Sequence, residues 1–152
     1  MYIKQIIING FKSFADKVNI SLTPNFTGIV GPNGSGKSNI VDAIKWVLGE
    51  QSVKSLRGSV NMADVIFNGS KSRNSSNYAS VCIIFDNSEK SLPIDFNEVS
   101  IKRVLYRSGE SEYFLNNDKC RLKDISDLFV DSFSSKESFN IFPWGIILKD
   151  SF

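Results

Sequence analysis

The spacing of apolar residues changes period several times along this chain, and each change predicts an element. Tyr2–Ile8 is a strand-like run that ends at Asn9-Gly10, a turn signal. Phe11-Lys12-Ser13-Phe14 follows, and alternation near Val18–Leu22 predicts a second strand. Thr23-Pro24-Asn25 is a turn that opens a short buried strand, Phe26-Thr27-Gly28-Ile29-Val30. Ile40, Ile44, Val47 and Leu48 then fall on one helical face, with Gly49 placed to cap the helix C-terminus. Residues 50–77 are polar and turn-rich, broken by Met62-Ala63-Asp64-Val65-Ile66-Phe67, which fits either one helical turn or a short strand. Further strands are expected at Val81–Asp86 and as a hairpin, Ser100–Tyr106 with Glu112–Leu115, around Arg107-Ser108-Gly109-Glu110. Leu122, Ile125, Leu128 and Phe129 space Leu122–Val130 as an amphipathic helix. With no internal repeat, heptad run or linker, the pattern describes one α/β unit.

Between the buried strand and the first helix stands Gly-Pro-Asn-Gly-Ser-Gly-Lys-Ser, residues 31–38. It matches G-x-x-x-x-G-K-[ST], a phosphate-binding loop, and its strand-before, helix-after context is the one that motif requires. Gly31, Gly34 and Gly36 allow backbone dihedrals that aim successive N–H groups at phosphate oxygens. Lys37 supplies a positive charge for the β- and γ-phosphates, and the Ser38 hydroxyl suits Mg²⁺. The helix N-terminus adds favourable partial charge.

Composition narrows the chemistry further. At 152 residues the chain is long enough for one domain with a real core. A net charge of +2 does not by itself argue for nucleic acid. Histidine is absent, which excludes Ser-His-Asp and Cys-His catalysis and any imidazole metal site. The two cysteines, Cys82 in an apolar run and Cys120 beside a basic residue, fit buried or incidental thiols better than a disulfide. No targeting segment is visible, and the longest apolar run, Ile141–Leu148, is interrupted by Pro143 and far short of the roughly 18 residues of a membrane span. A cytoplasmic protein is expected.

Together with the loop and its flanks, several ordered segments carry a family resemblance. These are Gly10–Asp16, Val30–Ile44, Ser55-Leu56-Arg57-Gly58, Asp64–Ser70 and Tyr106–Tyr113, with collinear matches over roughly residues 1–132. The chain resembles the N-terminal half of the ATPase head of bacterial SMC (structural maintenance of chromosomes) proteins. The resemblance implies an α/β fold of the P-loop NTPase, ABC-type class, with a mixed sheet and flanking helices, of which this is the N-terminal half. It implies that Pro32, Asn33, Gly34, Ser35, Gly36, Lys37, Ser38 and Asn39 wrap the phosphates of ATP, with Mg²⁺ on Ser38. Lys12 and Ser13 would sit beside the nucleotide, Arg57 near it in a role linked to DNA-stimulated hydrolysis, and Asp64 to Phe67 at the base. The motif context alone singles out Lys12 and Arg57; as isolated residues they also fit a solvated turn lysine and a surface arginine. Two look-alikes are set aside. Val81–Asp86 imitates a Mg²⁺-holding strand but is followed by Asn87, and Ser108-Gly109 fits a hairpin turn.

In that family the C-terminal half of the head supplies the Mg²⁺-binding aspartate and the glutamate that activates water. This sequence contains neither, so no catalytic residue is assigned within it, and binding of ATP without turnover is expected of it alone. The implied partners are that C-terminal half, a second SMC head, a kleisin subunit and DNA, in a nucleoid-associated setting and with no membrane. The resemblance is expected to hold over residues 1–141 and to lapse in a divergent tail, 142–152. There Trp144 occupies the position of a Mg²⁺-binding glutamine and offers no oxygen ligand. A DNA-repair ATPase head of the same superfamily is the nearest alternative. A non-functional remnant of a frameshifted, truncated gene is the alternative from another class.

Overall fold

The computed structural model describes residues 2–21, 37–48 and 62–130. The expected strand at 26–30, the loop at 31–36, Gly49, Arg57 and the tail lie outside them. Six strands form one sheet: β1 (Tyr2–Asn9), β2 (Val18–Ser21), β3 (Tyr78–Asp86), β4 (Glu98–Tyr106), β5 (Ser111–Leu115) and β6 (Asp118–Cys120). Helices α1 (Lys37–Val47) and α2 (Leu122–Val130) and a 3-10 turn at Met62–Val65 complete the described elements. The strand order is β2-β1-β3-β4-β5-β6, and every described pairing is antiparallel. The mixed sheet implied by the resemblance is thus antiparallel throughout its described strands.

Period-2 alternation decides which face is buried. Along β3 the residues Ala79, Val81, Ile83 and Phe85 point into the core, and along β4 Val99, Ile101, Arg103 and Leu105 do. Helix α1 packs on this face, against β3 and β4, and buries Ile40, Ala43, Ile44, Trp46 and Val47. Trp46 meets the Phe11 ring at 5.3 Å between centroids, so the turn after β1 joins the same core.

The connections explain the register. Asn116 and Asn117, at φ 49° and 70°, form a two-residue turn between Leu115 and its partner Asp118. Asparagine tolerates the left-handed region, and positive φ at both central residues matches the twist of the strands. This turn creates β6, which apolar patterning alone did not reveal. Ser108-Gly109 closes β4 and β5 as a hairpin turn, with Gly109 at φ 95° and its N–H donating to the Tyr106 carbonyl at 2.9 Å. The longer β3–β4 connection is organised by one fully buried residue, Asn87. Its Nδ2 donates to the carbonyls of Leu92, Ile94 and Phe96 at 3.4, 3.2 and 2.9 Å, and its Oδ1 accepts from the Leu92 N–H at 2.9 Å. One amide side chain thus stands in for the ladder that a loop lacks.

Asn87→Ala strands the Leu92 N–H in a buried site, at a cost of about 1–3 kcal/mol. Urea unfolding should show that loss; an unchanged midpoint would mean water replaces the side chain freely.

Candidate nucleotide-binding site

Two chain segments meet beside the first turns of α1. Gly10 leaves β1 at φ 66°, and a Cβ there would collide with the Tyr78 carbonyl, so glycine alone fits this close approach. The chain then folds into a tight turn in which the Phe14 N–H donates to the Phe11 carbonyl at 2.8 Å. Lys12 sits in it at φ 50°. Its N–H donates to the Val65 carbonyl at 2.6 Å, the Phe67 N–H donates to the Gly10 carbonyl at 2.8 Å, and Phe11 forms a bridge with Ile66. The Lys12-Ser13 turn and the 3-10 turn carrying Asp64 are therefore one stitched unit. Of the two forms compatible with Met62–Phe67, the helical turn is realised at Met62–Val65, with a single bridge following it.

This unit is tied to α1 by an ion pair. Lys12 Nζ lies 2.7 Å from Asp42 Oδ2, with the two side chains only 11% and 3% exposed. Asp42 is four residues after Ser38 and hence on the same helical face, one turn further in. The ammonium of Lys12 is thus fixed next to the N-terminal half of the helix that follows the glycine loop. The pair thereby holds the Lys12-Ser13 turn against the helix.

Of the predicted site residues, Lys12 and Asp64 are brought to this corner, Lys12 with its side chain engaged, Asp64 half-buried and Ser13 exposed nearby. For Lys37, Ser38 and Asn39 the helical backbone is described, and α1 opens at Lys37 directly after the loop. Pro32, Asn33, Gly34, Ser35, Gly36 and Arg57 lie outside the described residues. Asp42 was not among the predicted site residues. Its signal was available: an acidic residue one turn after Ser38, between the apolar positions that pack α1.

Both look-alikes resolve as structure. Val81–Asp86 lies within antiparallel β3, and Asp86 Oδ1 accepts from the Ser88 N–H at 3.0 Å and its hydroxyl at 2.6 Å, capping a turn. The cysteines are free and half-buried, and burial pushes both thiols up from their usual pKa. Among the described residues no helix is long and apolar enough to cross a membrane.

Comparison with known proteins settles the family. The profile described as "RecF/RecN/SMC N terminal domain" matches residues 2–138. The chain belongs to this family. It is 57% identical over 145 residues to the chromosome partition protein Smc of Lactiplantibacillus plantarum, covering 95% of this chain and 12% of that protein. The chain therefore spans about an eighth of such a relative's length and corresponds to an N-terminal SMC segment. Among solved structures it superposes with a TM-score of 0.85 at 41% identity on one from a study of ATP-driven dimerization and DNA-stimulated activation of SMC ATPases, covering 99% of this chain and 90% of that one. With an Smc head bound to the C-terminal winged-helix domain of ScpA it shares 42% identity and a TM-score of 0.84, over 94% of this chain and 42% of that one. The fold is that of an SMC ATPase head, N-terminal part.

Asp42→Ala leaves the Lys12 ammonium beside a buried gap, a loss of about 3–5 kcal/mol. The double variant Lys12→Met with Asp42→Leu should recover most of it. Urea unfolding of wild type, Lys12→Met, Asp42→Leu and the double variant checks this, and simply additive losses would show that the pair is not coupled.

Proposed function

We propose that this chain is the ATP-binding N-terminal part of an SMC head that works in chromosome partition. The observation that carries the proposal is the position of the octet: α1 starts at Lys37, immediately after the glycine loop, with the Lys12 turn clamped against that helix. The names and identities of the relatives support the same reading. In this reading residues 1–141 are the half-head and 142–152 a divergent tail.

The residues fit a magnesium nucleotide. Backbone N–H groups of Asn33–Asn39, in the loop that Pro32 helps to shape, would hold the phosphates, Lys37 would neutralise the β- and γ-phosphates, and Ser38 would ligate Mg²⁺. Asp42 fixes the Lys12 ammonium so that the turn carrying Ser13 stays against the helix. Arg57, near the nucleotide, and Asp64, bordering the base, complete the inferred contacts. The bound nucleotide supplies the phosphoanhydride whose hydrolysis drives the intact family. This chain's own groups bind and orient it. The aspartate and glutamate that position the attacking water come from the C-terminal half-head in this proposal, so turnover requires that partner.

A second ATP-loaded head and a kleisin-type subunit are the further partners, supported by neighbours described as dimerising with ATP and as bound to ScpA. DNA and a cytoplasmic, nucleoid-associated setting follow from the same reading.

Titrating the full chain with a fluorescent ATP analogue and Mg²⁺ tests the assignment. Lys37→Ala should weaken binding at least tenfold, about 1.4 kcal/mol or more. Equal affinity in the two proteins would sink it. Measurable ATP hydrolysis should appear only when a C-terminal half-head is added.

A further inference from the structure

Arg103 is a charged residue placed where β4 alternation calls for an apolar one, and it is only 3% exposed. Three contacts hold it there. Its Nη1 donates to the Trp46 carbonyl at 2.9 Å. Its guanidinium carbon lies 4.6 Å from the centroid of the Trp46 ring and 5.1 Å from that of Tyr113, its cross-strand partner on β5. Burial pushes its pKa down, opposed by the charge interaction with Tyr113, yet an arginine stays protonated at any ordinary pH. The Trp46 carbonyl belongs to the last turn of α1, whose carbonyls lack intrahelical partners and carry the negative end of the helix dipole. A planar cation that stacks on two rings while donating in its own plane meets all three demands; an ammonium does not.

The same helix begins at Lys37, roughly 14 Å away at 1.5 Å per residue. Helix α1 is therefore tethered by side chains in both its halves. Lys12 holds it near the phosphate loop through Asp42, and Arg103 holds its far end to the β4–β5 hairpin. With both in place the helix axis is set against the sheet; with one gone it pivots about the other, and the N–H groups of its first turn move with it.

We propose that Arg103 is a positioning residue for nucleotide binding: it sets the orientation of α1, and so the direction of the N–H groups of that helix's first turn, without touching the nucleotide. This inference rests on the nucleotide reading above.

The test uses the full chain and an ATP analogue with Mg²⁺, comparing wild type, Arg103→Lys, Arg103→Met, Tyr113→Leu and Lys37→Ala. Unfolding midpoints are recorded without nucleotide, and affinities are measured well below each midpoint, where a purely structural role leaves binding unchanged. Arg103→Met should bind the analogue roughly fivefold or more weakly, the low end of energetic coupling between separate sites. Arg103→Lys should fall between it and wild type. Tyr113→Leu keeps the Arg103–Trp46 contact and removes only the hairpin ring, so it should fold and lose a smaller part; it carries the test if Arg103→Met does not fold. Wild-type affinity in the folded Arg103 and Tyr113 variants overturns the inference while Lys37→Ala still binds weakly. Equal binding by wild type and Lys37→Ala overturns the nucleotide reading, and this inference with it.

Discussion

Helix α1 is enclosed on the side that faces the sheet, and nearly everything else in the described structure is arranged around that enclosure. Ala43, Ile44, Trp46 and Val47 are fully buried. Moving the helix would open space around an indole packed on Phe11 and Arg103, and interiors do not deform smoothly at that scale. Apolar packing alone, however, fixes depth better than rotation or slide, because many repackings of similar volume are close in energy. The polar tethers at Asp42 and Trp46 remove that freedom. Hydrophobic burial holds the helix on the sheet, and the two cationic side chains choose where on the sheet it lies.

The buried polar residues among the described positions make the same division of labour visible. They are Asp42, Asn87 and Arg103. Each joins an element to something distant in sequence or irregular in form: Asp42 joins α1 to the turn after β1, Asn87 shapes the β3–β4 loop, and Arg103 joins β4 to the end of α1. None of them lies in a regular ladder's gap as a passive exception. A buried polar group must be satisfied or it destabilises, so each accepts only the arrangement that supplies its partners. That requirement discriminates between folds of equal apolar area, which dispersion and area cannot do.

Much of this was legible in the residues, and what escaped has a physical reason. The helix at Leu122–Val130 is legible because its apolar spacing is purely helical, and β3 and β4 are legible from the inward Val81, Ile83 and Phe85 and Val99, Ile101 and Leu105. Both strands run further than their apolar cores suggested, since cross-strand pairs such as Tyr78 with Tyr106 extend a ladder into polar sequence. Strand β6 has no apolar signature at all and exists because Asn116-Asn117 turns the chain back. The Lys12 turn is legible in the sequence, while the contacts that tie it to α1 are not. Asp42 and Arg103 are charged residues at inward positions, and period-based reading assigns charge to the surface by default.

The two tethers differ in kind, and the difference bears on what each end of the helix can do. The Lys12–Asp42 contact is a nearly buried charge pair between a long lysine stem and a short aspartate, and its strength lies in charge and distance rather than in the shape of the groups. The Arg103 contact is a planar group stacked between two rings and hydrogen-bonded in its plane, so it yields only if Trp46 or Tyr113 moves. The ion pair stands in the N-terminal half of the helix, and the stacked guanidinium stands at its last turn, against the β4–β5 hairpin. A helix pinned by charge in its N-terminal half and by stacking at its last turn is fixed in slide and rotation, which apolar burial alone leaves open.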